Sequence, residues 1–218
     1  MPKPTFLNLP KAKRDNFLAV ALDEFAHNDY DHASITRIVK VLEIAKGSVY
    51  QYFENKKDLY LYLVDQATKK RQEYVKPLLK NPPRDFYDLI ATLFRETMNF
   101  DIENPLYSRL LVNANNERFS KDLGNAMIEM RKKSMDFMRG MIERELLMGG
   151  IRFDLNIELA SYLLAQMNSN ILDYLVIQNK IETDALLNTR KLKKAITETE
   201  IKSAARQIAD FLRIGIKA

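Results

Sequence analysis

Apolar residues recur at three- and four-residue intervals along most of this chain, and β-branched runs that alternate with polar residues are absent. The pattern predicts an almost entirely α-helical protein. Phe17, Leu18, Ala21, Leu22 and Phe25 form one apolar face, predicting a first helix over about Pro10 to His27 with Lys11, Lys13 and Arg14 at its entry. The polar link from Asn28 to Ala33 follows. Ser34 is a good N-cap for a second helix that buries Ile35, Ile38, Val39 and Leu42. A third helix, about Ala45 to Phe53, presents Lys46, Gly47, Ser48, Tyr50 and Gln51 as a polar surface, while Ile44, Val49 and Phe53 point the other way. Ile44 and Val49 have the N′/N4 spacing of a hydrophobic staple, which fixes the angle of entry into the helix. Two short helices, a tight turn and a polar-faced second helix make the pattern of a helix-turn-helix, whose second helix enters the DNA major groove.

Beyond this stretch the punctuation is regular. Asn55 caps a fourth helix, with Asp58 placed for a reciprocal cap, that runs to about Lys80 with Pro77 bending it or marking its last turn. Asn81-Pro-Pro-Arg84 breaks the chain. Helices are then expected over about Arg84 to Ile102, after Asn104-Pro105 to about Asn116, and from about Lys121 to Met148, where Gly149-Gly150 stops the last. Another follows Asp154-Leu-Asn156 and reaches about Asn179. Residues 180–196 admit two readings: Leu186 and Leu187 suggest a short helix, whereas Arg190 to Lys194 reads as a solvated basic loop. A final helix spans about Glu198 to Ile216 with Ile201, Ala205, Ile208, Phe211 and Leu212 on one side. The expected organisation is a helix-turn-helix domain over residues 1–56 and a helical domain over residues 57–218.

Composition narrows the class more than it names it. With 46% hydrophobic and 29% charged residues the chain is globular. It has no Cys, which excludes disulfides and thiolate metal sites and agrees with a reducing cytoplasm. The N-terminus lacks the apolar core of a signal peptide, and no apolar run is long enough to span a bilayer, so no membrane association is expected. The net charge is +5, but residues 1–57 hold 9 Lys/Arg and 7 Asp/Glu, a net of only +2. DNA binding therefore rests on local placement of residues, not on overall charge.

Ile35, Ile38, Ile44, Lys46-Gly-Ser-Val-Tyr50, Tyr52-Phe53, Asn55-Lys56 and Leu59, in register and without gaps, resemble the N-terminal signature of the tetracycline-repressor (TetR) family of bacterial transcription regulators. Past residue 60 only the layout is similar. The resemblance implies an all-α fold with an N-terminal three-helix helix-turn-helix domain and a C-terminal helical bundle for effector binding and dimerisation, the last two long helices forming the dimer interface. Two positions depart from the family pattern. Glu43 stands where the turn usually has Gly, a left-handed position costing a non-Gly residue on the order of 1 kcal/mol. Ala45 stands where a Ser or Thr usually caps the recognition helix, a cap worth ~1 kcal/mol.

Phosphate contact needs positive charge or N–H groups, and base reading needs side chains that reach base edges. Lys46, Lys56 and the Tyr50 hydroxyl are candidates for the first role. Gln51 is the best base reader, since a carboxamide pairs bidentately with adenine. Gly47 permits close backbone approach and, by resemblance, is a point of base contact. Thr36 and Arg37 are secondary candidates, and Ser48 is either a phosphate contact or a substitute cap. In the C-terminal domain the resemblance implies an effector pocket, for which Phe94, Met98, Tyr107, Met127, Met130, Met138, Met167 and Asn170 are candidates. A methionine stripe is more often plain core. The polar patch Gln166, Asn168, Ser169 and Asn170 either orients a ligand, lies in the dimer seam or faces water.

His27 and His32 flank Asp29 and Asp31, which reads as an acidic loop and not a metal site. No Cys–His pair, phosphate-binding glycine loop or nucleophile elbow is present, so neither catalysis nor a cofactor is expected. The reading that results is a homodimeric repressor that binds an inverted-repeat operator in double-stranded DNA and is released by a small apolar or amphipathic effector. Two alternatives stay open: an activator or architectural protein without a ligand, and a helical interaction module with weak DNA binding.

Overall fold

A computed structural model describes residues 1–216. The described residues are almost entirely helical: α1 (Pro4–Leu7), α2 (Lys11–His27), α3 (Ile35–Leu42), α4 (Lys46–Tyr52), α5 (Lys56–Lys80), α6 (Phe86–Glu103), α7 (Pro105–Asn116), α8 (Gly124–Leu147), α9 (Ile157–Gln178), α10 (Thr189–Ala195) and α11 (Glu198–Ile216). Single 3-10 turns lie at Glu117–Phe119 and Thr183–Ala185. Among them no helix is long and apolar enough to cross a membrane.

The helix boundaries follow local chemistry. Ser34 Oγ accepts from the Arg37 N–H at 3.4 Å, and Asn55 Oδ1 from the Asp58 N–H at 2.9 Å. Asp85 and Asn156 do the same for α6 and α9. Gly149, at φ 76°, ends α8 in the left-handed conformation that glycine adopts without steric cost. Pro77 stays inside α5, within its last turn. At 180–196, which the sequence leaves ambiguous, the helix falls on the basic stretch. Leu186 and Leu187 lie outside the helices, and the basic stretch forms α10, capped by Asn188 Oδ1 on the Lys191 N–H at 3.0 Å. The reason is Leu192, 1% exposed, whose burial anchors a segment otherwise made for solvent.

The chain divides into two compact units: Met1–Lys70 with Leu106–Met127, and Arg71–Pro105 with Ile128 onward. Their three boundaries fall inside α5, at the first residue of α7 and inside α8. In the first unit, Phe17, Phe25, Ile38, Val49, Phe53, Leu59, Tyr60 and Leu110 are buried. α7 closes this unit through Asn113, whose Nδ2 donates to the Phe25, Ala26 and Asn28 carbonyls at 3.1–3.4 Å and so satisfies the C-terminal end of α2. Glu117 Oε1 accepts from the Tyr30 N–H at 3.0 Å.

In the second unit, α6 supplies Ile90, Leu93, Phe94, Met98 and Ile102 to the core and packs against α9, α10 and α11. Arg213 bonds Asp85, the α6 N-cap, at 2.9 Å and lies 4.7 Å over the Tyr87 ring; Arg206 pairs with Asp88. Glu103 accepts from Tyr74 at 2.9 Å and Lys193 at 3.1 Å, joining α5, α6 and α10. Burial, and then that bond to Glu103, push the Tyr74 hydroxyl up to about 12. Phe211, expected on the buried side of α11, is 70% exposed.

Candidate nucleic-acid interface

The turn between α3 and α4 is a complete Schellman motif. The Glu43 N–H bonds the Lys40 carbonyl at 3.4 Å, and the Ile44 N–H bonds the Val39 carbonyl at 3.1 Å. This geometry puts Glu43 at φ 54°, ψ 39°, the left-handed region where a side chain is disfavoured. Replacing Glu43 by Gly is expected to raise stability by about 1 kcal/mol. A denaturation midpoint at or below that of the parent chain would show that the turn carries no strain.

α4 then starts at Lys46, with Ala45 in the N-cap conformation and no side-chain cap. Val49 is 1% exposed and holds the helix to the core, leaving Lys46, Gly47, Tyr50 and Gln51 exposed and Ser48 half-buried. Tyr52 packs between Phe6 (5.6 Å) and Phe17 (5.5 Å), so its ring serves the core. Around Gly47 there is open space: a Cβ would meet nothing within 4 Å. Packing within the chain therefore does not require glycine here, although glycine costs a helix about 1 kcal/mol relative to alanine.

Arg37 is differently engaged. Its Nε lies 2.9 and 3.0 Å from the two Glu24 oxygens, and its Nη2 donates to Glu24 at 2.5 Å and to the His32 carbonyl at 2.7 Å. The bond to Glu24 pushes the guanidinium pKa up. The half-buried Glu24 also accepts from the Ser34 N–H at 2.7 Å, so a single carboxylate ties α2 to the start of α3. Thr36, beside it, is exposed. Lys56 Nζ donates to the Asp31 carbonyl at 3.2 Å and sits 4.6 Å over the Tyr30 ring. In the same loop, Asp29 accepts from the His32 N–H (2.9 Å) and ring (2.7 Å), which hold its carboxyl below the ordinary value. The histidine–aspartate pair thus serves the loop's own shape.

The candidate effector residues do not form one group. Phe94, Met98 and Met138 are buried in the core of the second unit with Met167 packed against it. Met130 belongs to that unit and is half-buried. Tyr107 and Met127 belong to the first unit, where Lys70 lies 5.1 Å over the Tyr107 ring. Asn170 is exposed and donates to the Gln166 carbonyl at 2.9 Å. Asn168 is the inward member of the polar patch, in register with the buried Ser161, Leu164, Ala165, Ile171 and Leu175. Its Oδ1 is buried without a hydrogen-bond partner. The 3.6-residue period of α9 carries that signal, since position 168 falls on the apolar stripe and position 170 does not.

Comparison with known proteins agrees with this architecture. Residues 17–63 match the family of bacterial regulatory proteins, tetR family. A TetR family transcriptional regulator from Chloroflexus aurantiacus superposes with a TM-score of 0.80 at 29% identity, covering 100% of this chain and 99% of that one. The fatty acid metabolism regulator protein of Bacillus subtilis is 21% identical over 187 residues, 82% of this chain and 93% of that protein. A structure of the regulator FadR from Bacillus subtilis in complex with stearoyl-CoA has a TM-score of 0.63 at 16% identity, covering 84% of this chain and 98% of that one. Taken with the helix-turn-helix and the helical domain that follows it, these likenesses make residues 17–63 a match to the tetR family of bacterial regulatory proteins and the whole chain similar to a TetR family transcriptional regulator.

Proposed function

We propose that this chain is a cytoplasmic, ligand-responsive repressor that binds an inverted-repeat operator as a homodimer. The observation that carries the reading is α4: a short helix held by Val49 that leaves Lys46, Gly47, Tyr50 and Gln51 facing outward, with a glycine that internal packing does not need. Two such helices related by a two-fold axis enter successive major grooves about 34 Å apart. Lys46, Ser48, Tyr50 and Lys56 hold phosphates, Gln51 reads a base edge, and Thr36 lies beside the backbone. Arg37, clasped by Glu24, supports the start of α3 and adds at most a phosphate contact. The dimer forms through α9 and α11, supported by the exposure of Leu159, Leu163, Ile177, Phe211 and Ile214 on those helices.

The effector is apolar or amphipathic and binds in the C-terminal unit, with the unpartnered Asn168 oxygen available to a donor on the ligand. Because FadR binds stearoyl-CoA, a long-chain acyl-CoA is the first effector class to test. Binding shifts the DNA-competent population only by its differential affinity for the two states. A second reading, a DNA-bound regulator without a ligand, is favoured by the close burial of Phe94, Met98 and Met138 in one continuous cluster. Thermal shift with stearoyl-CoA and a panel of apolar ligands separates the two, since a binder of the folded state stabilises it.

Selection from random duplexes tests the DNA reading, and recovery of no palindromic sequence at low salt would overturn it. Gly47→Ala is expected to raise the stability of the free protein by about 0.5–1 kcal/mol through helix propensity while weakening binding to the selected duplex. Unchanged affinity would remove Gly47 from the interface.

A further inference from the structure

α4 is seven residues long, well below the roughly 12–15 at which helices begin to persist alone. It follows a left-handed Glu43, and Ala45 offers its first turn no side-chain acceptor. Its other end carries carbonyls with no partner inside the helix. One residue from far away in the chain meets two of them. The Lys3 N–H donates to the Tyr52 carbonyl at 2.8 Å, and Lys3 Nζ donates to the Tyr50 carbonyl at 2.9 Å. The same ammonium pairs with Glu54 at 3.1 Å. A cation in this place also complements the negative end of the helix dipole. Lys3 is the N-cap residue of α1, and α1 is pinned by Phe6, 1% exposed, whose ring lies 5.0 Å from Phe53 and 5.6 Å from Tyr52.

We propose that Lys3 to Leu7 form a clamp on the recognition helix, with Lys3 and Phe6 as positioning residues for DNA reading. The clamp holds the C-terminal turn of a helix whose N-terminal cap is missing, and so keeps α4 in its binding-competent form before DNA arrives. Apparent affinity scales with the fraction of molecules in that form. Lys3 acts through the helix and not as a phosphate contact. The inference rests on the DNA-binding reading of α4 for its functional meaning, but the clamp itself is measurable without DNA.

The test uses the full chain. Lys3→Ala removes the ammonium alone. Lys3→Pro removes the ammonium and the N–H, while the backbone at φ −75°, ψ 159° already suits proline. Amide hydrogen exchange is measured across α4 in the absence of DNA, and affinity for the duplex selected by the parent chain is measured over a salt series. In Lys3→Pro, α4 amides are expected to exchange roughly 5- to 10-fold faster and affinity to fall by a similar factor, consistent with loss of a helix-end interaction. The salt slope stays unchanged, because no phosphate contact is lost. Lys3→Arg retains affinity, and adding Ala45→Ser to Lys3→Ala restores part of it by capping the other end. Unchanged α4 exchange in Lys3→Pro overturns the clamp. A salt slope reduced by about one charge with unchanged exchange makes Lys3 a phosphate contact instead. If the parent chain selects no duplex, the DNA reading fails, while the exchange result still decides whether the clamp exists.

Discussion

Replacing Phe53 by alanine is expected to cost about 3–5 kcal/mol of stability, the range for deleting a buried aromatic side chain. Phe53 is 0% exposed and follows directly on α4, its N–H bonded to the Val49 carbonyl at 2.8 Å. Its ring meets Phe6 at 5.0 Å, Tyr62 at 5.5 Å and Phe17 at 6.0 Å, the last nearly parallel at 12°. Each such pair contributes about 0.5–1.5 kcal/mol beyond area burial. The three neighbours come from α1, α5 and α2, so alanine leaves a cavity that no single side-chain rotation fills. Phe53→Leu, which retains most of the volume, should lose considerably less. Urea denaturation of both variants measures the difference, and a loss below about 1 kcal/mol for alanine would mean that the aromatic cluster does not organise this unit. The same residue closes the end of α4, so on the proposed DNA-binding reading Phe53→Ala should also lose DNA binding at temperatures where the C-terminal unit remains folded.

Asp101→Ala should be nearly as damaging for a different reason. Arg71 Nη2 donates to both Asp101 oxygens, at 3.0 and 2.9 Å, with the aspartate side chain 4% exposed and the arginine 19%. Arg71 Nε is already buried without a partner. Removing the carboxylate leaves a buried guanidinium uncompensated, and the expected loss is about 3 kcal/mol, toward the lower end for buried pairs because Arg71 retains some water access. The pair itself need not be stabilising relative to apolar residues of similar size. The double replacement Arg71→Met with Asp101→Leu is therefore expected to recover most of the loss. Helix melting followed by circular dichroism distinguishes the two, and a double variant no better than Asp101→Ala would show that the site depends on the ions themselves.

The local parts of this protein were legible in its residues. Ser34, Asn55 and Asn156 begin helices and Gly149 ends one, because a cap is settled by a side chain and an N–H about three residues away. The apolar stripe that sets Val49 against the core is equally local. So is the left-handed strain at Glu43, since a Schellman turn demands positive φ whatever residue occupies it. The helix-turn-helix reading followed from these features, and the match over residues 17–63 supports it.

Tertiary structure decided the rest. Nothing near Lys3 in the sequence indicates that its N–H and ammonium close the end of a helix 47 residues away. Arg37 reads as a DNA contact from its place at the start of α3, but Glu24, 13 residues back, occupies its guanidinium. The methionine and aromatic candidates read together as one pocket lining, yet the two compact units divide them. One buried leucine turns the basic stretch at 190–194 into a helix. In each case composition describes what a side chain can do, and the partner that determines what it does arrives from a distant part of the chain. By itself the sequence determined the longer helices, several of their caps and the outward face of α4; packing determined which charges stay exposed and how α4 is held, because those depend on contacts that local periodicity does not encode.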